Sequence, residues 1–356
     1  MAAPTPAGPT DRRELQTLLR LSDLLTPMAL RVAATLRLVD HIHAGTTSTT
    51  GLATATGTDH DALRRLTRHL VIHGVLTETA PGRLATTPIG DLLAAGHPAR
   101  QRDWLDLNGA VSRADLAFVH LLDAVRTGRP AYATMHGRPF WDDLAADPAL
   151  AASFDALMAC DDGVVFDAPL AAYDWTGVQH VIDAGGGTGG LLAALTRAAP
   201  HVHGTLLELP GPAATARARL AGHEHRDRID VLDHDFFTPF PATADAVTLS
   251  FVLLNWHDDD ARRILAHCRA ALRPGGRILL YERADVPNTG SDPVFSLLDL
   301  RMLVFMGGRV RTREEWAALA ASAGLTIERA AVLQSPSVPF DFSFLVLAPH
   351  PTGRTT

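Results

Sequence analysis

The chain has no lysine. All of its 32 fixed positive side chains are arginine, against 39 acids, for a formal net charge of −7 over 356 residues. That balance argues against nucleic-acid binding, which usually leaves a basic footprint. There are two cysteines, Cys160 and Cys268, far apart and without metal-ligand spacing, so no disulfide framework and no metal site is expected. No run approaches the 18 or so uninterrupted apolar residues of a membrane span. The start, Met1 to Thr10, is rich in Pro, Ala, Gly and Thr and lacks the basic first part and apolar middle of a signal peptide. A cytoplasmic protein is the expectation. What remains is ordinary for a globular chain: 47% hydrophobic and 20% charged residues, at a length that suits two domains.

The most informative stretch is Val181-Ile-Asp-Ala-Gly-Gly-Gly-Thr-Gly-Gly190. An apolar run passes an acid, Asp183, then meets glycines at 185, 186, 187, 189 and 190, and Leu191 to Ala199 continues as a helix without Gly or Pro. Strand, glycine turn and helix start together let a ligand approach the main chain and meet unpaired N–H groups. A second apolar run, Gly204 to Glu208, ends in an acid, where a ribose diol is held in such folds. Three readings stay open on these residues alone. A dinucleotide site would use Gly185, Gly187 and Gly190. A site for S-adenosyl-L-methionine (SAM), a cation, would use the acid two residues before the first glycine. A tight turn with no ligand needs neither.

The rest of the chain supplies a frame. Residues 11 to 43 are predicted helical, with Pro27 as an interruption. Their leucines surround the helix so fully that a partner subunit or a packed neighbour is needed to cover them. From Thr47 to Ala80 the pattern is helix, turn, helix, strand; Asp59 caps the second helix, Gly74 ends it, and Pro81-Gly82 separates two short extended runs. This is a winged helix. Arg64, Arg65 and Arg68 leave a DNA-binding regulator open, while dimerisation and roofing of a pocket suit the acids and the missing lysine better. Residues 100 to 165 read as helices rich in aromatics. From 178 onward seven strand candidates alternate with helices, which predicts a mostly parallel sheet with helices on both faces and ligands at the carboxyl ends of its strands.

The residues after those strands are the candidates for chemistry. Asp235-Phe236-Phe237 follows the third and could hold and stack an adenine; a surface turn with a core Phe fits equally. Ser250 to Asp258 follows the fourth, and Tyr281-Glu282-Arg283 the fifth. Arg301, inside the apolar stretch from Leu298 to Met306, must be paired or face a pocket. Met302 and Met306 share a helical face and suit either a flat ligand or the core.

Taken together, Asp183-Ala-Gly-Gly-Gly-Thr-Gly, Leu207-Glu-Leu-Pro, Asp235-Phe-Phe, Asn255-Trp, Arg273-Pro-Gly-Gly-Arg-Ile-Leu-Leu and Gly307-Gly-Arg-Val-Arg-Thr resemble the winged-helix, SAM-dependent O-methyltransferases of small phenolic molecules. Phe251-Val-Leu-Leu-Asn-Trp and Leu298-Asp-Leu-Arg-Met-Leu-Val-Phe are most similar to the anthracycline-tailoring branch of bacterial polyketide enzymes. The resemblance implies an α/β fold: a Rossmann-like SAM-binding domain over 171–350, a helical pocket region over 101–170 and a winged-helix dimerisation domain over 1–100. It implies a homodimer that binds SAM, releases S-adenosyl-L-homocysteine and acts on an aromatic polyketide. By the same resemblance Asp183, Gly185, Gly187, Glu208, Asp235, Phe236 and Ser250 serve the cofactor, and Asn255, Arg301 and Met302 the substrate. One departure stands out. The family's general-base histidine, two residues before the motif's Trp, is Leu254 here. Of the two acids that flank that histidine Glu282 is kept and the other is Val310. His257, three positions on, is a substitute base at best, so Asn255, His257 and Glu282 are the catalytic candidates. Methylation by positioning alone is the leading expectation; SAM-dependent hydroxylation or decarboxylation on the same fold is the alternative.

Overall fold

The computed structural model describes residues 9–159, 166–283, 293–334 and 341–350. Cys160 lies outside them. The chain divides between Arg113 and Ala114 into two compact units, so the segment expected as one helical region over 101–170 is shared between them.

The first unit opens with α1 (Pro9–Leu21), α2 (Leu25–Thr35) and α3 (Leu38–His43). Pro27 does not interrupt the helices as expected. It sits in the first turn of α2, where a missing N–H costs nothing. The break comes at Asp23, whose carboxylate accepts from the N–H of Leu25 and Thr26 at 2.8 and 3.1 Å. A second break is Arg37, at φ 53°. On α1, Leu15, Leu18, Leu19 and Leu21 are exposed in the single chain. Next come α4 (Thr49–Thr56) and α5 (His60–Ile72). Asp59 caps α5 by accepting from Ala62 N–H at 2.8 Å, and Gly74 follows its end at φ 71°. The wing is the antiparallel pair β1 (Leu76–Ala80) and β2 (Arg83–Thr86). Leu38, Leu52, Leu63, Leu70, Leu76 and Leu84 fill the core between these elements.

The second unit is built on seven strands: β3 (His180–Ala184), β4 (His203–Glu208), β5 (Ile229–Asp233), β6 (Ala244–Ser250), β7 (Leu272–Arg283), β8 (Leu325–Leu333) and β9 (Phe342–Pro349). They lie in the order β5-β4-β3-β6-β7-β9-β8. The first five run parallel, and β9 is antiparallel to both its neighbours. Strand alternation divides the core in two. Val181, Leu206, Leu279, Tyr281 and Phe344 face one side with Leu192 and Leu195. Ile182, Leu207, Val247, Ile278 and Leu345 face the other with Ile264, Leu265, Trp316 and Leu319. Both faces are covered, so the sheet meets solvent at its rims, and the carboxyl rim carries the connecting loops.

Between Leu116 and Met158 the helices are short, and several end at left-handed glycines such as Gly128 and Gly137. Their aromatics divide between core and partly covered positions, with Phe118, Trp141 and Phe154 half-buried. Tyr132 and Phe140 are buried, Phe140 stacks on Phe305, and Trp141 stacks on Trp256 at 6.5 Å between centroids.

Candidate functional site

The glycine loop leaves β3 and enters the Gly190–Ala198 helix. Gly185, Gly187 and Gly189 take φ of 72°, 60° and 80°, which only glycine adopts without strain. Gly186 is required for another reason: a Cβ there would lie 2.0 Å from Asp183 Oδ2. Asp183 is fully buried beneath the loop. Thr248 donates to its Oδ1 at 2.7 Å, Oδ2 has no partner among the described residues, and burial pushes its pKa up to about 6. It therefore packs directly under Gly186 of the loop.

Glu208, at the end of β4, is the acid that reaches the loop. It accepts from Gly187 N–H at 3.0 Å and from Leu209 N–H at 2.8 Å. Burial pushes its pKa up to about 7, against those two hydrogen bonds, and the nearby Asp183 adds to the rise. On the other side of the loop a Cβ on Gly185 would come within 3.0 Å of Val252 and 3.2 Å of Phe236, whereas one on Gly187 would meet nothing within 4 Å. Phe236 meets Phe237 and Trp256 edge-on at 5.2 and 5.9 Å. Asp235 is exposed and accepts from Phe237 N–H at 2.9 Å. Ser250 Oγ, at the end of β6, is buried without a partner among the described residues. Glycine backbone, two acids held above their ordinary pKa, an aromatic face and an orphan hydroxyl thus meet at one rim. Such a donor set fits a cationic adenosyl group: a positive charge relieves the desolvated acids, and open space lies beside Gly187.

The segment after β6 turns sharply. Phe251 stands at φ 55°, a strained conformation for a bulky residue. A 3₁₀ turn over Leu253–Asn255 follows. Asn255 donates from Nδ2 to Phe251 O at 3.1 Å. Leu254 is buried against Met302 and Val310, with Phe251, Phe295, Leu298 and Met306 around them. The position of the family's histidine is therefore a dry apolar contact. Glu282 is buried too. Its Oε1 accepts from Leu253 N–H at 2.8 Å, its Oε2 has no partner among the described residues, and burial pushes its pKa up to about 8. His257 is exposed at the start of the Asp258–Ala270 helix.

Arg301 is paired. Its guanidinium forks onto Asp115, Nε to Oδ1 and Nη2 to Oδ2, both at 2.9 Å. The sequence demanded a partner for this charge but could not name it, because Asp115 is distant in the chain. Met302 packs in the apolar cluster with Leu254. Sequence reasoning also missed Arg311. It has no exposed surface and grips the Leu253–Asp258 segment from behind. Its polar neighbours, Gly307-Gly-Arg-Val-Arg-Thr-Arg, give no local sign that it is buried.

Among the described residues no helix is long and apolar enough to cross a membrane, and no group of three or more His, Cys, Asp or Glu is placed to hold a metal.

Comparison with known proteins agrees with this geometry. The O-methyltransferase domain family matches residues 118–326, and the O-methyltransferase dimerisation domain matches residues 19–96. Among characterised relatives, aclacinomycin 10-hydroxylase RdmB of Streptomyces purpurascens is 60% identical over 96% of this chain and 92% of its own length. The 2,7-dihydroxy-5-methyl-1-naphthoate 7-O-methyltransferase of Streptomyces carzinostaticus is 44% identical over 87% of this chain and 92% of its own. Among solved structures, the O-methyltransferase NcsB1 from neocarzinostatin biosynthesis, in complex with SAM and 2-hydroxy-5-methyl naphthoic acid, superposes with a TM-score of 0.84 at 42% identity, covering 93% of this chain and 98% of that one. TnmH superposes with a TM-score of 0.89 at 39% identity, covering 97% of this chain and all of that one, 100%. The chain belongs to the SAM-dependent O-methyltransferase family, with the family's dimerisation domain ahead of its catalytic domain.

Proposed function

We propose that this chain tailors an anthracycline-type aromatic polyketide, methylating a phenolic hydroxyl that it holds in line without a side-chain base. The observation that carries this is Leu254, buried against Met302 and Val310 where the family has its histidine. When bound, SAM supplies a methyl group activated on a sulfonium. The residues of the chain do the rest. Glu208 holds the ribose diol, Asp235 the adenine amino group and Phe236 the adenine face. Gly185 and Gly187 admit the methionyl part to the main chain, Ser250 offers its orphan hydroxyl, and Asp183 keeps the loop in shape from below. Asn255 and Met302 border the polyketide. Arg301 fixes the Pro293–Met306 helix to Asp115 and presents that helix to the substrate.

Magnitudes support positioning. A general base typically supplies about 10²–10⁴-fold. Holding the reacting atoms in near-attack geometry supplies about 7–11 kcal/mol, which is more. A phenol with a pKa of about 10 loses its proton to water or to an acceptor in its own ring system. Neither His257, which is exposed, nor Glu282, locked on Leu253 N–H, is assigned the base role.

A second reading is favoured by one observation, the 60% identity to a protein named as a 10-hydroxylase. Here the substrate loses its carboxyl group as carbon dioxide, or gains a ring hydroxyl whose oxygen comes from dioxygen with an added reductant taking the second oxygen atom to water, and the missing base fits equally. Incubation with SAM and a panel of anthracycline aglycones and glycosides, read by mass spectrometry, decides. A gain of one methylene is expected. A gain of one oxygen or a loss of carbon dioxide selects the second reading. No change on any substrate, with a DNA fragment retarded instead, replaces both with a ligand-sensing regulator. The exposed leucines of α1 and the dimerisation domain support a homodimer, which sedimentation of the purified chain tests.

A further inference from the structure

We propose that Arg311 is a positioning residue for the reaction: it fixes the Ser250–Asp258 segment, and through it Asn255, at the height where substrate and methyl donor meet. The proposal rests on the reading above that this segment borders the polyketide.

Arg311 is a large side chain with no exposed surface. Its Nη1 donates to Leu253 O at 2.8 Å, its Nη2 to Trp256 O at 2.8 Å and its Nε to Asp258 Oδ1 at 2.9 Å. All three acceptors belong to one stretch of six residues. The planar fork of a guanidinium can hold three such acceptors at once; an ammonium on a flexible stem cannot hold them in fixed relation. The guanidinium carbon also lies 5.1 Å from the ring centre of Trp316, which backs it.

Other contacts close on the same stretch. Glu282 takes the N–H of Leu253 from the strand side at 2.8 Å. Arg309 N–H donates to Leu254 O at 2.9 Å. Gly308 passes so near that a Cβ on it would lie 2.2 Å from Leu254 O. At the head of the stretch Phe251 holds its left-handed backbone, which a bulky residue keeps only where its surroundings over-determine it. Burying a guanidinium against backbone carbonyls and a half-exposed acid is a poor device for stability, since well-packed apolar residues serve as well or better. Its use here is to select one conformation of the rim. An enzyme that lacks a base and depends on geometry has the most to lose from a loose rim, because a misplacement of about 1 Å costs roughly 10²-fold in rate.

The test uses the full chain with Arg311→Lys and, to keep the proposal testable should that variant fail to fold, Asp258→Asn at a half-exposed partner. Hydrogen–deuterium exchange over residues 251–258 is read with melting temperature, S-adenosyl-L-homocysteine affinity by calorimetry, and kcat and KM on the polyketide that the unaltered chain modifies. Arg311→Lys is expected to exchange faster in that stretch and to lose about 10²-fold in kcat, with cofactor affinity and KM nearly unchanged. Asp258→Asn shows the same split at about a tenth of the size, and it decides alone if Arg311→Lys does not fold. Unchanged kcat and exchange in a folded variant overturn the proposal. So does a parallel fall of cofactor affinity, melting temperature and kcat, which assigns Arg311 to general stability. If the unaltered chain modifies no polyketide, the functional reading fails by itself, and the exchange measurement still decides whether Arg311 holds the rim.

Discussion

Two stretches of the same sheet rim are built on opposite principles. After β3 and β4 the chain packs acids under and beside a glycine loop, Asp183 and Glu208, both held above their ordinary pKa. After β6 and β7 it packs Leu254 against Met302 and Val310 and fixes a nearby carboxyl, Glu282, on a backbone N–H. The first stretch is charged and waiting for a cation. The second is apolar and already satisfied, apart from one carboxyl oxygen. Under the proposed function, a site that combines them puts its electrostatics on the cofactor and its shape on the substrate.

The strongest way to break the contrast is on the acid side. Gly186→Ala drives a methyl group into Asp183 Oδ2 and costs the Thr248 hydrogen bond as well. A loss of roughly 3 kcal/mol in denaturant unfolding is expected, with no detectable heat on titration of SAM. Retained binding would show that the loop does not depend on the buried acid. On the apolar side, Leu254→His buries an imidazole in the cluster with Met302 and Val310, at a cost of about 1–3 kcal/mol. Its turnover stays within a few-fold of the parent, while Asn255→Ala, which removes the bond to Phe251 O, lowers turnover sharply. A gain on the order of 10²-fold in Leu254→His would mean that a base was limiting after all.

The contrast also carries a pH signature. Asp183, Glu208 and Glu282 are raised to about 6, 7 and 8. The folded chain therefore keeps protons that the unfolded chain has lost, and stability without ligand falls as pH rises from about 4 through 8. A cation bound beside Glu208 reverses this, so SAM affinity rises by about tenfold between pH 6 and pH 8 as that acid ionises. Glu208→Gln flattens the profile; a flat profile in the unaltered chain would remove the acid side of the comparison. The smallest effect belongs to His257→Ala, at an exposed helix start, within about 0.5 kcal/mol in stability and near parity in turnover. A tenfold loss there would restore a side-chain base.

Much of the fold was legible because periodicity reports burial directly. All seven strands stand where the apolar runs predicted, and Asp59 and Gly74 bound α5 as their chemistry requires. Pro27 misled because proline breaks a helix in its interior but starts one in its first turn. The placing of Gly185, Glu208 and Ser250 at one rim was legible because motif and strand end coincide there. Placement was not legible where function depends on partners remote in sequence. Asp115 for Arg301 and the Leu253–Asp258 carbonyls and carboxylate for Arg311 are set by tertiary packing alone. Asp183 shows the limit from the other side, since its spacing from the glycines is the same whether it touches a ligand or the loop that holds one.

The strand Phe342–Pro349 follows every other strand in sequence yet lies between β7 and β8. During synthesis the chain emerges from its amino end, so β7 and β8 are complete while the lane between them is still empty. Until β9 arrives, β7 presents an unpaired backbone edge to any passing strand. A chain cut after β8 thus keeps Gly185, Glu208 and Asn255 yet carries an open seam through its sheet, which makes it a target for aggregation rather than a slower enzyme.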